Sequence, residues 1–582
     1  MTKKKKKNIS GAALLMECLV AQGVTTIFGY PGGAVLHIYD ALYHYQDRIS
    51  HILTAHEQGA AHAADGYARS SGKVGVCLAT SGPGATNLIT GIATAYLDSV
   101  PMVAITGNVP MNLLGKDSFQ EVDITGMTMA ITKHNFIVKT AETLPEIIAR
   151  AFQIASEGRP GPVLVDIPKN VTLERLNWSE QEIQNHIEKA KIDPCEIRPW
   201  RQQRQWTALE SDALEPIVAA IKASKRPLIY AGGGVIRAGA SEALLDFARH
   251  WDAPVATSLM GIGSIDNDDP LSLGIMGMHG AEETNWSVTQ CDMLLAVGSR
   301  FSDRVLGKLE AFAEKAIIVH IDIDPAEIGK NITERPGRYY NIIRPLAEAL
   351  NTLKQHIEPQ FHRTWRSAIA KKRAMHKGQG EISQPQIILE TLRGIAKDHC
   401  IIATDVGQHQ MWTAQYFSFN RPRQFLTSGG LGTMGFGLGA AIGAQLANPK
   451  SQVVLVTGDG CFHMNCNELS TAVKYQLPIK IILFNNGVLG MVRQWQHLFC
   501  QDRFSQTTLQ RGTHFEALAE AFGAKGYALG EGDNIQEVLS QMLSTPGPAL
   551  LNCTISPDLL VMPMVPPGAG IGEMLVQRFN GG

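Results

Sequence analysis

Short apolar runs recur along the chain, and most are followed by a turn rich in Gly, Pro, Asp or Asn and then by a stretch with helical spacing. From Ser10, the expected N-cap, this pattern predicts a helix over 11–21 that ends just before Gly23, then a strand over 25–29 and the turn Tyr30-Pro-Gly-Gly33. It continues through a strand at 51–55, a helix at 58–70, a strand at 74–80, the turn Ser81-Gly-Pro-Gly84, a helix at 87–97 and strands at 102–106 and 162–167. The polar, tryptophan-bearing stretch 177–205 reads as a linker. Beyond it a second unit over 211–355 has strands at 227–230, 254–257, 293–297 and 317–323. The charged stretch 371–377, with Gly378 and Gly380, marks a second linker. The third unit has strands at 400–404, 453–458, 481–485 and 549–554, and helices at 436–446, 467–476 and 514–522. Regular alternation of strand and helix gives an α/β fold of three doubly wound parallel-sheet domains, at 8–176, 206–358 and 380–556. The tail 557–582, with Pro563, Pro566 and Pro567, is expected to be irregular, and the similar size of the units suggests internal duplication.

Bulk properties narrow the function classes. A chain of 582 residues holds three to four domains at ~100–200 residues each. Lys+Arg 52 against Asp+Glu 54 gives no electrostatic reason to expect nucleic acid or an anionic membrane. The run Lys3 to Lys7 reads as a solvated tip. No window reaches the ~18 apolar residues of a membrane span, and Asn8, Ser10 and Gly11 interrupt any signal-like apolar region. Nine cysteines without a CxxC pair fit reduced thiols and a cytoplasmic location.

The candidate chemistry centres on Gly458-Asp-Gly460 and Asn485-Asn486, each at the end of an apolar run. Asp459 offers a carboxylate, Asn486 an amide carbonyl and the main chain at Val488 a third oxygen. That hard oxygen set suits Mg²⁺ on a diphosphate, with the backbone N–H groups of Gly460 and Cys461 turned toward the phosphates. A lone Gly-Asp-Gly is an ordinary turn, but with Asn-Asn after one helix and strand the pair resembles the thiamine-diphosphate motif. Glu57, in Ala55-His-Glu57, would by itself be a favourable charge at a helix start. In a thiamine-diphosphate site it becomes the general acid/base, through N1′ of the aminopyrimidine.

Further segments make the resemblance specific. They include Phe28-Gly-Tyr-Pro-Gly-Gly33, Phe119-Gln-Glu-Val-Asp123, Asp166-Ile-Pro-Lys169, Met276-Gly-Met-His-Gly280, Arg300-Phe-Ser-Asp-Arg304, Gly407-Gln-His-Gln-Met-Trp412, Ser428-Gly-Gly-Leu-Gly-Thr-Met-Gly-Phe436 and Met491-Val-Arg-Gln-Trp-Gln496. In this order, over nearly the whole length, the chain resembles the catalytic large subunits of acetolactate synthase.

The resemblance implies that Gln408 and His409 hold the diphosphate, that Gly432, Met434 and Met491 grip the cofactor from one side, and that Pro31 and Gly32 meet it from the other. Gln120 and Lys169 join Glu57 as catalytic residues, and Phe119, Met278, Arg304, Val492 and Trp495 line the substrate channel. It also implies FAD, held by Arg159, Gly232, Gly233, Gly234, His279, Arg300, Asp303, Asp322 and Ile323. The family usually has Asp where this chain has Ser302, and often an Asp near Tyr339-Tyr-Asn-Ile-Ile343, where this chain has none. The expected reaction condenses pyruvate with a second 2-keto acid, pyruvate or 2-ketobutyrate, with loss of CO₂. A homodimer or homotetramer with sites between chains and a small regulatory subunit are implied partners. The alternative is an FAD-dependent pyruvate oxidase, which Gln120, Lys169 and Trp495 argue against. Glu57 argues against a glyoxylate carboligase, and intact Glu57, Asp459 and Asn486 against an inactive homologue.

Overall fold

The segments Gly75–Ala79, Met102–Asn108, Pro162–Pro168, Pro227–Ala231, Met293–Val297 and Val453–Gly458 are strands buried along their entire length. Continuous apolar runs form such strands because helices cover both faces of a parallel sheet. A computed structural model describes residues 7–190, 211–332, 337–376, 382–509 and 511–576. Among them are three six-stranded sheets in which every pairing is parallel. The α/β fold of three doubly wound domains is therefore present.

The first sheet runs Ser50–Leu53, Thr26–Gly29, Gly75–Ala79, Met102–Asn108, Pro162–Pro168, His134–Ile137. The third runs Phe425–Leu426, Ile401–Thr404, Val453–Gly458, Lys480–Asn485, Ala549–Thr554, Lys525–Leu529. Numbered within each domain, both follow the order 2-1-3-4-6-5. The middle sheet, Ser272–Ile275, Val255–Thr257, Pro227–Ala231, Met293–Val297, Ile317–Asp322, Tyr339–Ile343, follows 3-2-1-4-5-6. The outer domains thus share one topology, whereas the middle one has the order of dinucleotide-binding folds.

The structure departs from the sequence reading in its edges and linkers. Five of the six edge strands, at Ser272–Ile275, Tyr339–Ile343, His134–Ile137, Phe425–Leu426 and Lys525–Leu529, are not expected from the pattern. Edge strands tend to be short, and these, two to five residues long, lack a long continuous apolar run. The stretch from Asn177 is not a linker as far as residue 190. Arg175–Trp178 pairs antiparallel with Lys7–Ser10, and the helix Glu180–Lys189, with a Ser179/Glu182 capping box, buries Ile183 and Ile187 in the first core. Residues 191–205 of that expected linker lie outside the described residues. Likewise Lys371 belongs to the helix Arg363–His376, which buries Trp365 and Ile369. The expected helix over 467–476 is a 3₁₀ turn, Cys466–Glu468, followed by the helix Leu469–Lys474.

The first and third domains share one core. The helices Glu57–Ser71 and Phe436–Ala447 meet backbone to backbone, since a Cβ at Gly66 would lie 2.1 Å from Ala440 O and one at Gly443 1.9 Å from Ala63 O. Two buried carboxylates cross the same boundary. Asp98, in the first domain, accepts from the N–H groups of Gly429 (3.0 Å) and Gly430 (2.8 Å) in the third. Glu468, in the third, accepts from Ala55 and His56 in the first. The tail from 557 to 576 is irregular but anchored, with Val561, Met564, Val565 and Ile571 buried and Val565 N donating to Met278 O at 2.8 Å, and residues 577–582 lie outside the described residues. No helix among the described residues is long and apolar enough to cross a membrane.

Candidate active site

Gly458 pairs with Phe484 at the ends of two neighbouring parallel strands, so Asp459 and Asn486 emerge at one edge of the third sheet. The strand Ile401–Thr404 pairs on the other side of Val453–Gly458, and the turn after it brings Gln408 and His409 to the same edge. This is the switch point of the sheet, where α/β folds place ligands. The five groups Asp459, Asn486, Val488, Gln408 and His409, with Gly460 and Cys461, line a cleft of about 70 Å³.

The two side-chain amides in the cleft are held. Asn486 Oδ1 accepts from Val488 N at 3.2 Å. Asn486 Nδ2 donates to Gln408 Oε1 at 3.4 Å, and Gln408 Nε2 donates to Leu559 O at 2.7 Å and Gln494 Oε1 at 3.1 Å. Gly490 makes room for this, because a Cβ there would lie 2.1 Å from Gln408 Oε1. Burial pushes the Asp459 carboxyl up to about 6, against the N–H groups of Gly460 and Gly487. Burial also pushes His409 down to about 3, so its ring is neutral, and its Nε2 is buried without a partner. A buried carboxylate with no ion pair among the described residues and an unpartnered imidazole nitrogen fit a cation and an anionic ligand bound together. Among the described residues there is no cluster of three His, Cys, Asp or Glu suited to a metal. A cation here would complete its shell from Asn486, the Val488 carbonyl and ligand oxygens, as Mg²⁺ does on phosphates.

The cleft shares Val406, Gly407, Met434, Met491 and Val492 with a second cavity of about 1110 Å³ at the switch point of the middle sheet. Into this cavity the fold brings Arg159, Gly232, Gly233, Gly234, His279, Arg300, Asp303, Asp322 and Ile323, together with Met278, Arg304, Gly432, Met434 and Trp495. Gly232 is required by close approach, as its Cβ would lie 2.1 Å from Gly298 O. His279 Nδ1 and Ser299 Oγ are buried without partners. Burial pushes His279 down to about 4 and Asp322 up to about 6. At the mouth, the Arg304 guanidinium lies 5.6 Å from the Trp495 ring centroid.

A third group stays apart. Glu57, Pro31, Gly32, Phe119, Gln120 and Lys169 line neither cavity. They lie on the first domain, beyond the ends of its strands. Glu57 opens the helix Glu57–Ser71, and its Oε2 accepts from Asn87 Nδ2 at 3.0 Å. Gln120 has φ +59° and lies against Gly82. Pro31 is exposed, Gly32 abuts Thr80, and Lys169 begins the helix Lys169–Leu173. Phe119 is 89% exposed, far beyond what an apolar ring of a finished pocket shows.

Three family models match the chain in order: "Thiamine pyrophosphate enzyme, N-terminal TPP binding domain" over 9–127, "central domain" over 214–353 and "C-terminal TPP binding domain" over 405–553. The chain is 45% identical over 577 residues to the acetolactate synthase isozyme 2 large subunit of Escherichia coli (strain K12), covering 97% of this chain and 99% of that protein. This chain belongs to the acetolactate synthase large-subunit family. It is also 44% identical over 576 residues to the acetolactate synthase large subunit of Pyropia yezoensis, covering 97% and 95% of the two chains. To the probable acetolactate synthase large subunit of Methanocaldococcus jannaschii it is 46% identical over 580 residues, again 97% and 95%.

Within this acetolactate synthase-family chain, several residues at the cavities carry no recognisable sequence signal. Arg237 lines the large cavity with no hydrogen bond or ion pair among the described residues. Burial, opposed by Asp98 and reinforced by Arg69, Arg300 and Arg159, pushes its guanidinium down to about 9. Its position just after the glycine run was the only clue in the sequence. Asp98 and Glu468 act through contacts more than three hundred residues away in the chain, which no local pattern encodes.

Proposed function

We propose that this chain is the catalytic subunit of a thiamine-diphosphate-dependent carboligase. It decarboxylates pyruvate and joins the remaining two-carbon unit to a second 2-keto acid, giving 2-acetolactate from pyruvate or 2-aceto-2-hydroxybutyrate from 2-ketobutyrate. The observation that carries this reading is the cleft of Asp459, Asn486 and an unpartnered His409 nitrogen at the third sheet's switch point, within a chain matched by thiamine pyrophosphate domains throughout.

Thiamine diphosphate, when bound, supplies a thiazolium carbon acidic enough to lose its proton, add to the ketone of pyruvate and hold the two-carbon unit after CO₂ leaves. Asp459, Asn486 and the Val488 carbonyl would hold Mg²⁺, and Gln408, His409 and the N–H groups of Gly460 and Cys461 the diphosphate. Gly432, Met434 and Met491 would orient the aminopyrimidine, and Glu57 would hold or move a proton at its N1′. Gln120 and Lys169 steer the keto acids beside Phe119, Met278, Arg304, Val492 and Trp495. Pro31 and Gly32 close over the cofactor.

Glu57 and its neighbours lie apart from Asp459 within one chain, so each complete site needs the first domain of one copy and the third of another. A homodimer is then the smallest active unit. Exposed Phe119, Met127 (52%) and Met129 (72%) on the first domain suit such a contact. The relatives' designation as large subunits supports a small regulatory partner.

FAD fits the large cavity on different grounds. The 3-2-1-4-5-6 strand order, the tight Gly232–Gly234 turn and the unpaired Arg237 beside Arg300 match a dinucleotide whose diphosphate needs positive charge. Because the proposed reaction has no net redox step, FAD would serve the architecture. Beside Ser302, Asp303 is exposed at the cavity wall and lies 3.7 Å from Arg304 Nε, and Tyr339–Ile343 is an edge strand.

Purified protein with pyruvate, Mg²⁺ and thiamine diphosphate, with and without FAD, should form acetolactate. Acetyl phosphate with peroxide would instead establish a pyruvate oxidase. Trp495→Leu should lower the preference for 2-ketobutyrate over pyruvate by about tenfold, since an apolar wall contacting one additional methyl discriminates by ~1–3 kcal/mol. An unchanged product ratio in a two-substrate competition would remove Trp495 from the pocket.

A further inference from the structure

Glu468 lies outside the cleft yet reaches the segment that carries Glu57. It ends the turn Cys466–Glu468, which directly follows the helix Asp459–Asn465, and it is 0% exposed. Its Oε1 accepts from His56 N at 2.9 Å and Ala55 N at 3.1 Å. Its Oε2 accepts from Ala55 N at 3.2 Å and from the Thr471 hydroxyl at 2.7 Å. The two N–H groups belong to the residues immediately before Glu57, with His56 as the N-cap of the helix Glu57–Ser71. The contact depends on Gly59, because a Cβ there would lie 2.0 Å from Glu468 Oε1. Apolar side chains already hold these two domains together in a shared core. A fully buried carboxylate adds nothing to such packing that an apolar group would not add at lower desolvation cost. What it adds is direction, through several hydrogen bonds on two consecutive residues.

We propose that Glu468 is a positioning residue, which fixes Ala55 and His56 and so sets the place from which Glu57 reaches the aminopyrimidine. This rests on the reading of Glu57 as the proton-exchanging carboxylate. It assigns to the third domain a part in the acid–base half of the site, in addition to holding metal and diphosphate.

The test uses the full chain in five forms: wild type, Glu468→Ala, Glu468→Gln, Gly59→Ala and Glu57→Gln. With Mg²⁺ and thiamine diphosphate bound, exchange of the cofactor C2 proton for deuterium is followed by NMR after acid quench. Without cofactor, amide exchange of the 55–58 segment is followed by mass spectrometry. Glu468→Ala and Gly59→Ala should slow C2 exchange by about 10- to 100-fold, the cost of displacing a reacting group by ~1 Å, and should deprotect the 55–58 amides. Glu468→Gln keeps Oε1 as acceptor for both N–H groups and should restore C2 exchange to within about threefold of wild type, with protected amides. Wild-type C2 exchange in Glu468→Ala, or Glu468→Gln as slow as Glu468→Ala, overturns the proposal. If Glu468→Ala fails to fold, normal C2 exchange in Gly59→Ala overturns it instead. Slow exchange in Glu57→Gln alone sinks the role of Glu468 and leaves that of Glu57 standing, whereas wild-type exchange in Glu57→Gln removes both.

Discussion

Glu57→Gln should bind Mg²⁺ and thiamine diphosphate normally while losing C2 proton exchange, and with it acetolactate formation, by about 10²- to 10⁴-fold, the usual worth of a positioned acid–base group. Glu57 Oε2 is occupied by Asn87 Nδ2 at 3.0 Å, and Oε1 has no protein donor among the described residues. That leaves one carboxylate oxygen with its lone pairs directed to a ligand. An amide in its place keeps the Asn87 bond through its oxygen and can still donate to a pyrimidine nitrogen, so affinity survives. It has no proton to give up or take near neutral pH, so exchange does not. Near-normal exchange measured by NMR would show that Glu57 has no part in the proton relay.

That expectation came from sequence, and it is instructive which features did. The motifs around Asp459 and Asn486 were legible because each follows a strand buried over nearly its whole length, and such strands carry an apolar run, whereas Glu57 follows the edge strand Ser50–Leu53, where only Ile52 is buried. Strand ends at a switch point are where functional side chains collect, so finding the run located the candidate residues. The edge strands were not legible. Tyr339–Ile343, for instance, an edge strand, buries only Ile342, exposes Asn341 and leaves its other three positions partly buried. Residues 177–190 looked like a linker for a related reason. In Glu180–Lys189 only Ile183 and Ile187 face the core, too few to outweigh the surrounding charge until the capping box is seen in place. The cross-domain carboxylates were out of reach altogether, since Asp98 and Glu468 have meaning only through backbone groups that the fold brings to them.

The Asp98 clamp leads to the second large effect. Arg69→Met should destabilise the chain by about 3–5 kcal/mol, the cost of breaking a buried ion pair from one side. Arg69 pairs with Asp65, and with Asp98 at 2.9 Å, while its Nη1 donates to Thr427 O at 2.9 Å. The side chains are 8% exposed for Arg69 and 0% for both acids, so water cannot replace the lost charge. Burial already raises the pKa of Asp65, and the Arg69 guanidinium acts against that rise. Methionine fills similar volume but leaves two carboxylates facing each other, with Arg237, which forms no ion pair with either among the described residues, as the remaining nearby cation. Adding Asp65→Leu should recover part of the loss, because removing both partners of a buried pair costs far less than removing one. The loop from Gly429 to Met434 hangs on Asp98, so the single variant should also bind thiamine diphosphate more weakly, and saturating cofactor should raise its thermal midpoint by mass action. Urea and thermal unfolding of the two variants decide the matter: an Arg69→Met protein within about 1 kcal/mol of wild type would mean the guanidinium does not compensate these carboxylates.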